Sequence, residues 1–112
     1  MIAAVGATLR SRLKDYSHPA LADVTLPAVM QALSDPCRIA IVRALLERGE
    51  LACNEVPLDI SKATRSHHFA ILREAGLVAT RVVGTRCMSS IRRGEFEARF
   101  PGLLELVLRD GG

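Results

Sequence analysis

Apolar positions along the chain follow two different periods, and the switch between them gives its organisation. Ile2, Val5, Leu9, Leu13 and Tyr16 recur at steps of three and four, the spacing of an amphipathic helix. A loop follows through Ser17, His18 and Pro19, and then a short helix is expected over residues 27–33. Ser34-Asp35-Pro36 offers a capping side chain followed by a first-turn proline. Ile39, Val42, Leu45 and Leu46 then make an apolar stripe, and Gly49 stops it, so a helix is expected over residues 36–48. Residues 53–58 read as a helix of one or two turns, kept short by Pro57, with Asp59-Ile60 as a turn. Ser61 caps a further helix over residues 61–75. Phe69, Leu72 and Ala75 should face inward, and Lys62, Arg65, Ser66, Arg73 and Glu74 outward.

After Gly76 the helical period gives way to a period of two. Residues 77–83 and 86–91 are rich in β-branched side chains and flank Gly84-Thr85, a hairpin signal. A last helix should start near Gly94 or Glu95 and resume after Pro101. There Leu103, Leu104, Leu106, Val107 and Leu108 leave it apolar on nearly every side, so a partner surface is expected. The result is a mainly α chain with a small β-hairpin. Helix, short helix, turn, helix and hairpin, in that order, make a winged helix-turn-helix. One domain accounts for residues 1–112: an N-terminal arm or helix (1–24), a core (26–93) and a C-terminal dimerisation helix (94–112).

Charge sharpens the picture. The 112-residue chain carries a net charge of only +3. Yet residues 62–93 contain seven basic side chains (Lys62, Arg65, Arg73, Arg81, Arg86, Arg92, Arg93) against the single acid Glu74. The remainder is therefore net negative. A positive excess confined to one contiguous third is the sequence footprint of a polyanion-binding face. Lys62, Thr64, Arg65, Ser66 and His67 supply cations and short polar groups at the front of one helix, as reading base edges and phosphates requires. Arg81 and Arg86 flank the hairpin tip and could lie along the backbone or in the minor groove. A solvated basic helix face and two solubilising cross-strand arginines are the plainer alternatives.

Three widely spaced cysteines, Cys37, Cys53 and Cys87, imply no disulfide framework and suit a reducing cytosol. The opening apolar run lacks a basic n-region, and no stretch approaches the roughly 20 apolar residues of a membrane span, so a cytoplasmic protein is expected.

The run Ala32-Leu33-Ser34-Asp35-Pro36-Cys37-Arg38-Ile39-Ala40-Ile41-Val42 resembles the "LadPtRlaIL" opening of ArsR-type (ArsR/SmtB) regulators. Gly49-Glu50-Leu51 matches their "GEL". Residues 61–69 and 72–78 resemble their recognition helix, written S-x-S-T-V-S-H-H-L-x-x-L-R-E-A-G-L-V. The likeness spans about residues 26–93. It implies transcription regulation by a homodimer that binds double-stranded DNA at an imperfect inverted repeat. Such proteins repress until a ligand, metal or oxidation weakens DNA binding. The resemblance also implies a dimer built by the first and last helices, here through Leu9, Leu13, Leu103, Leu104 and Val107.

The effector is not legible, and no cofactor is required. A divalent-metal effector stays open without a recognisable site. The paired-cysteine positions of the family's thiolate site hold Ala52 and Asn54, with Cys53 between them, and a soft cation needs about three converging thiolates. The C-terminal site needs histidine, and only Glu97, Glu105 and Asp110 are at hand. His18 with Asp23 is a weaker metal pair. His67 and His68, adjacent on a helix, point about 100° apart and chelate poorly together. His67 is expected to face DNA, and His68 to pack or cap locally. Cys53, at a helix start, is the candidate sensor, with structural burial as its alternative and as the reading for Cys37. An activator, a redox-responsive regulator and a winged-helix protein-interaction module also stay open. An enzyme is disfavoured: no phosphate-binding glycine loop and no metal-ligand spacing is present.

Overall fold

The computed structural model describes residues 16–111. The helix expected over the first 16 residues, with Leu9 and Leu13, therefore lies almost wholly outside the described residues. A short 3-10 turn, Leu21–Asp23, leads into α1 (Leu26–Ala32) and α2 (Pro36–Arg48). Then come β1 (Leu51–Ala52), a second 3-10 turn (Cys53–Glu55) and α3 (Lys62–Glu74). The chain ends with β2 (Val78–Val83), β3 (Arg86–Ile91), α4 (Arg93–Arg99) and α5 (Leu103–Asp110).

Local chemistry explains most boundaries. Thr25 and Asp35 cap α1 and α2, each followed by proline in the first turn. Asp35 Oδ1 accepts from the N–H groups of Cys37 (2.7 Å) and Arg38 (3.2 Å), two donors with no partner inside the helix. Helix α3 ends at Gly76, which takes a positive φ of 75°. A Cβ there would come within 3.0 Å of Val24 and 3.1 Å of Leu21, so the position is closed by packing as well as by backbone sterics. Gly84 (φ 63°) and Thr85 form the two-residue link between Val83 and Arg86, the last paired residues of the hairpin.

The sheet has three antiparallel strands in the order β1-β3-β2, not the two of the hairpin alone. Strand β1 pairs with β3 as Leu51↔Ser89 and Ala52↔Met88. Where a one- or two-turn helix was expected over residues 53–58, only a 3-10 turn forms, over Cys53–Glu55. The preceding residues are drawn into the sheet, and Pro57 lacks the N–H a longer helix would need.

Ile41, Val42 and Leu45 of α2, Phe69 and Leu72 of α3, Leu77 and the first β2 residue Val78 form one core with Phe96, Leu104 and Val107. The C-terminal helix departs from expectation here. Leu104 and Val107 are buried in the protomer's own core, and Leu103 packs partly against it, with α5 lying on α2. Glu105, Leu106, Arg109 and Asp110 are exposed. The helix is thus amphipathic: Leu104 and Val107, both expected at a dimer interface, are covered within the chain itself, and Leu106 stays 45% exposed. The segment before α1 is tied down by polar bonds. His18 Nε2 accepts from the Thr80 N–H (2.9 Å), and Arg92 donates to the Pro19 carbonyl (2.6 Å).

Candidate nucleic-acid interface

Helix α3 presents its first two turns to solvent beside the hairpin. Ser61 Oγ accepts from the Thr64 N–H (3.1 Å) and donates to the Thr64 hydroxyl (2.8 Å), so the cap orders both side chains. Lys62, Thr64, Ser66 and His67 are all exposed, as expected of a face that meets a large partner. The helix N-terminus adds a partial positive charge at this end.

Arg65 is not part of that face. Its guanidinium turns inward and donates to the carbonyls of Cys53 (3.1 Å), Val56 (2.6 Å) and Leu58 (2.9 Å). The outward assignment fails because Arg65 lies four residues before Phe69 and seven before Leu72, on the inward stripe. The stretch it faces turns three carbonyls toward it, and a five-donor fork can bond them all. The same periodicity that buried Phe69 could have identified it.

Behind the exposed face, His68 is buried and its Nδ1 lies 3.1 Å from a guanidinium nitrogen of Arg38. Arg38 also donates to the carbonyls of Ala32 (2.7 Å) and Gln31 (3.3 Å), joining α1, α2 and α3. This bracket escaped the sequence reading, in which Arg38 figured only within a motif. The local packing expected of His68 is what the structure has. The two histidine rings are 6.1 Å apart and tilted by 45°.

The wing arginines are both partnered. Arg81 grips Glu50 with two bonds, Nε to Oε2 (2.8 Å) and NH2 to Oε1 (2.6 Å). Arg86 pairs with Glu55 at 3.1 Å. The Arg81 guanidinium holds the Glu50 carboxyl below the usual carboxylate range and is itself pushed up. These acids come from the stretch around β1, whose pairing with β3 the hairpin pattern did not reveal. Exposed pairs of this kind contribute little to stability and yield readily to a competing anion.

Between α3, the wing and the Cys53–Glu55 turn lies a cleft of about 500 Å³. Lys62, Arg65, Arg73 and Arg86 line it together with Cys53 and Cys87, and among the described residues no carboxylate does. At its edge the Arg73 guanidinium stacks on the Tyr16 ring (4.3 Å), and the Tyr16 hydroxyl meets Cys87 Sγ at 3.3 Å. That hydrogen bond, then burial, pushes the Tyr16 phenol above its ordinary pKa, with Arg73 opposing.

Among the described residues one donor group could be weighed as a metal centre. Ligand atoms of Asp35, Cys37 and His68 lie within 4.8 Å of one another. Asp35 Oδ1 already caps α2, however, and the His68 Nδ1 faces the Arg38 cation. As it stands the arrangement is a helix cap braced by an arginine. Burial raises the Asp35 pKa, but the N–H groups of Arg38 and Cys37 and nearby positive charge outweigh it, so the net shift is downward. The His18–Asp23 pair is not assembled for a metal, because His18 Nε2 is bonded to the β2 backbone.

A family model described as a helix-turn-helix domain matches residues 33–81. The uncharacterized HTH-type transcriptional regulator YceK of Bacillus subtilis (strain 168) is 46% identical over 82 residues, covering 70% of this chain and 82% of that protein. The solved structure of the ArsR family transcriptional regulator RHA00566 superposes with a TM-score of 0.57 at 29% identity, over 65% of this chain and 81% of that one. The chain belongs to the ArsR-type winged helix-turn-helix regulators. The transcriptional repressor BigR from Xylella fastidiosa is a further structural neighbour, with a TM-score of 0.59 and 26% identity over 73% of this chain and 78% of its own. As an ArsR-type protein it is a DNA-binding regulator of transcription and not an enzyme. No helix among the described residues is long and apolar enough to cross a membrane.

Proposed function

We propose that this ArsR-type regulator works as a homodimer that seats α3 of each protomer in successive major grooves of an inverted-repeat operator and thereby represses a promoter. The observation that carries the reading is the capped start of α3. There Lys62, Thr64, Ser66 and His67 stand exposed beside the wing, over a cleft with no carboxylate in its lining. Lys62 and Ser66, one turn apart, suit a phosphate and a base edge, and His67 extends the same surface. Arg81 and Arg86 sit where a wing meets the backbone, and each would exchange its carboxylate partner for a phosphate. A repressor's role agrees with the likeness to BigR. Pairing of protomers would use Leu106 and Leu103 of α5 together with residues 1–15, which include Leu9 and Leu13. DNA binding on this reading needs no metal or cofactor, and the effector acts separately.

The test is fluorescence anisotropy with a duplex from the chain's own promoter region and a scrambled control. Lys62→Ala should weaken binding to both duplexes and flatten the plot of log affinity against log salt by about one unit, because one phosphate contact no longer releases a counterion. Equal affinity of the unaltered protein for promoter and scrambled duplex would favour the protein-interaction reading. An unchanged slope would move the phosphate contact off Lys62.

A further inference from the structure

The cleft beneath the DNA-facing surface contains a feature that DNA recognition does not use. Strand β1 pairs with β3 as Leu51↔Ser89 and Ala52↔Met88 and ends there, so Cys53, the first residue of the 3-10 turn, leaves the sheet beside Cys87, the next residue along β3. Were the ladder one rung longer the two would be opposed, with Cα atoms about 4.5–5.5 Å apart, within the roughly 4.4–6.8 Å that a disulfide bridges. The side chains agree with that register. Cys53 Sγ reaches Ser89 Oγ at 3.4 Å, and Ser89 is two residues from Cys87, hence on the same face of β3. Both thiols are half-buried and line the same cavity. Cys37 does not line it and lies instead with Asp35 and His68.

We infer that Cys53 and Cys87 form a dithiol modification site that exchanges with a small, anionic disulfide and closes into an intramolecular bridge that lowers DNA affinity. The Cys53 thiolate attacks one sulfur of the reagent, forming a mixed disulfide and expelling the first thiolate. The Cys87 thiolate then attacks the Cys53 sulfur, closing the bridge and expelling the second. The protein dithiol is oxidised, one reagent disulfide is reduced to two thiols, and the two protein protons pass to solvent or to those thiols. Lys62 and Arg73, with Arg86 beside its Glu55 partner, draw an anionic reagent into the cleft. The bridge would act on DNA binding by position. Arg65 of α3 holds the Cys53 carbonyl, and Arg86 is the residue before Cys87, so drawing the two sulfurs together shifts the recognition helix against the wing.

The effect on DNA rests on the proposed function; formation of the bridge does not. Full-length protein is first reduced and its DNA affinity measured, then treated with oxidised glutathione, and the intact mass and linked peptides are read without reduction. The expected product has lost two hydrogens, carries no adduct, joins Cys53 to Cys87, and binds the promoter duplex at least about 5-fold more weakly, the lower end of typical coupling between sites. Cys37→Ser should behave as the unaltered protein, while Cys53→Ser and Cys87→Ser should stop at a mixed disulfide. A bridge involving Cys37, two separate adducts, or a Cys53–Cys87 bridge with unchanged DNA affinity would overturn the inference. If the reduced protein fails to bind DNA, the proposed function fails instead, and the peptide map still decides whether the dithiol site exists.

Discussion

Replacing Arg65 by alanine separates a structural role from a groove contact. The guanidinium bonds three carbonyls across residues 53–58, the irregular segment that α3 packs against. A hydrogen bond to a charged group contributes about 1.5–3 kcal/mol net, so three at full strength set an upper limit near 9 kcal/mol. Arg65 is only half-buried, and water would reach some of the freed carbonyls, which brings the expected loss to about 2–4 kcal/mol. That is a large share of the ~5–15 kcal/mol total stability of an ordinary domain. With a urea slope near 1.5 kcal/mol/M, typical of a small protein, the midpoint should fall by about 1–3 M at constant slope. Protein concentration must be held fixed, because the proposed association of protomers would add to apparent stability. Arg65→Lys should recover only part of the loss, since an ammonium cannot span three carbonyls as a planar fork does. A midpoint shift below about 0.3 M, the range of an ordinary surface substitution, together with lost DNA binding would refute the reasoning and return Arg65 to the interface.

Two further substitutions test the cap and the last helix. Asp35→Asn retains an N-cap oxygen but not the charge. A carboxylate whose folded pKa is depressed stabilises above its unfolded value of about 3.9, and that stability is lost as pH falls through the folded value. The advantage of the unaltered protein in urea melts at pH 7 should therefore shrink below about pH 4; a gap that persists there would have another source. In α5, Leu104→Ala should cost about 2–5 kcal/mol by thermal or urea melting, because its side chain fills the protomer core. Leu106→Glu should leave the fold intact and shift sedimentation toward monomer, and the reverse ranking would remove α5 from the interface.

The parts of the fold written in local periodicity were legible. Helices α2 and α3, their caps, the stop at Gly76 and the hairpin at Gly84-Thr85 follow from spacing and turn chemistry within a few residues. Strand β1 was not, because two residues carry no period, and what makes them a strand is β3, nearly forty residues away. The direction of a long cation was equally hard to read. Arg65, Arg81 and Arg86 look alike in sequence, yet carbonyls hold the first and carboxylates the other two. Likewise, the leucines of α5 were read as a surplus because the face of α2 that covers them could not be seen from residues 103–110 alone.

These misread cations bear on how the regulator can be switched. Helix α3 is held along the buried stripe of Phe69, Leu72 and their neighbours, contacts that a gap of about 0.5–1 Å already weakens. Hydrogen bonds add a dependence on direction, weakening steeply once the D–H···A angle falls below about 120°. Two arginine brackets add to the core packing of α3: Arg65 reaching to the Cys53–Glu55 turn and beyond, and Arg38 reaching from α2 to His68. A chemical event at the turn meets α3 through a single bond, Arg65 to the Cys53 carbonyl, and need not cross the core. On this reasoning a displacement at Cys53 would reach Lys62, Ser66 and His67 through Arg65, whereas one at Leu104 would act on the core.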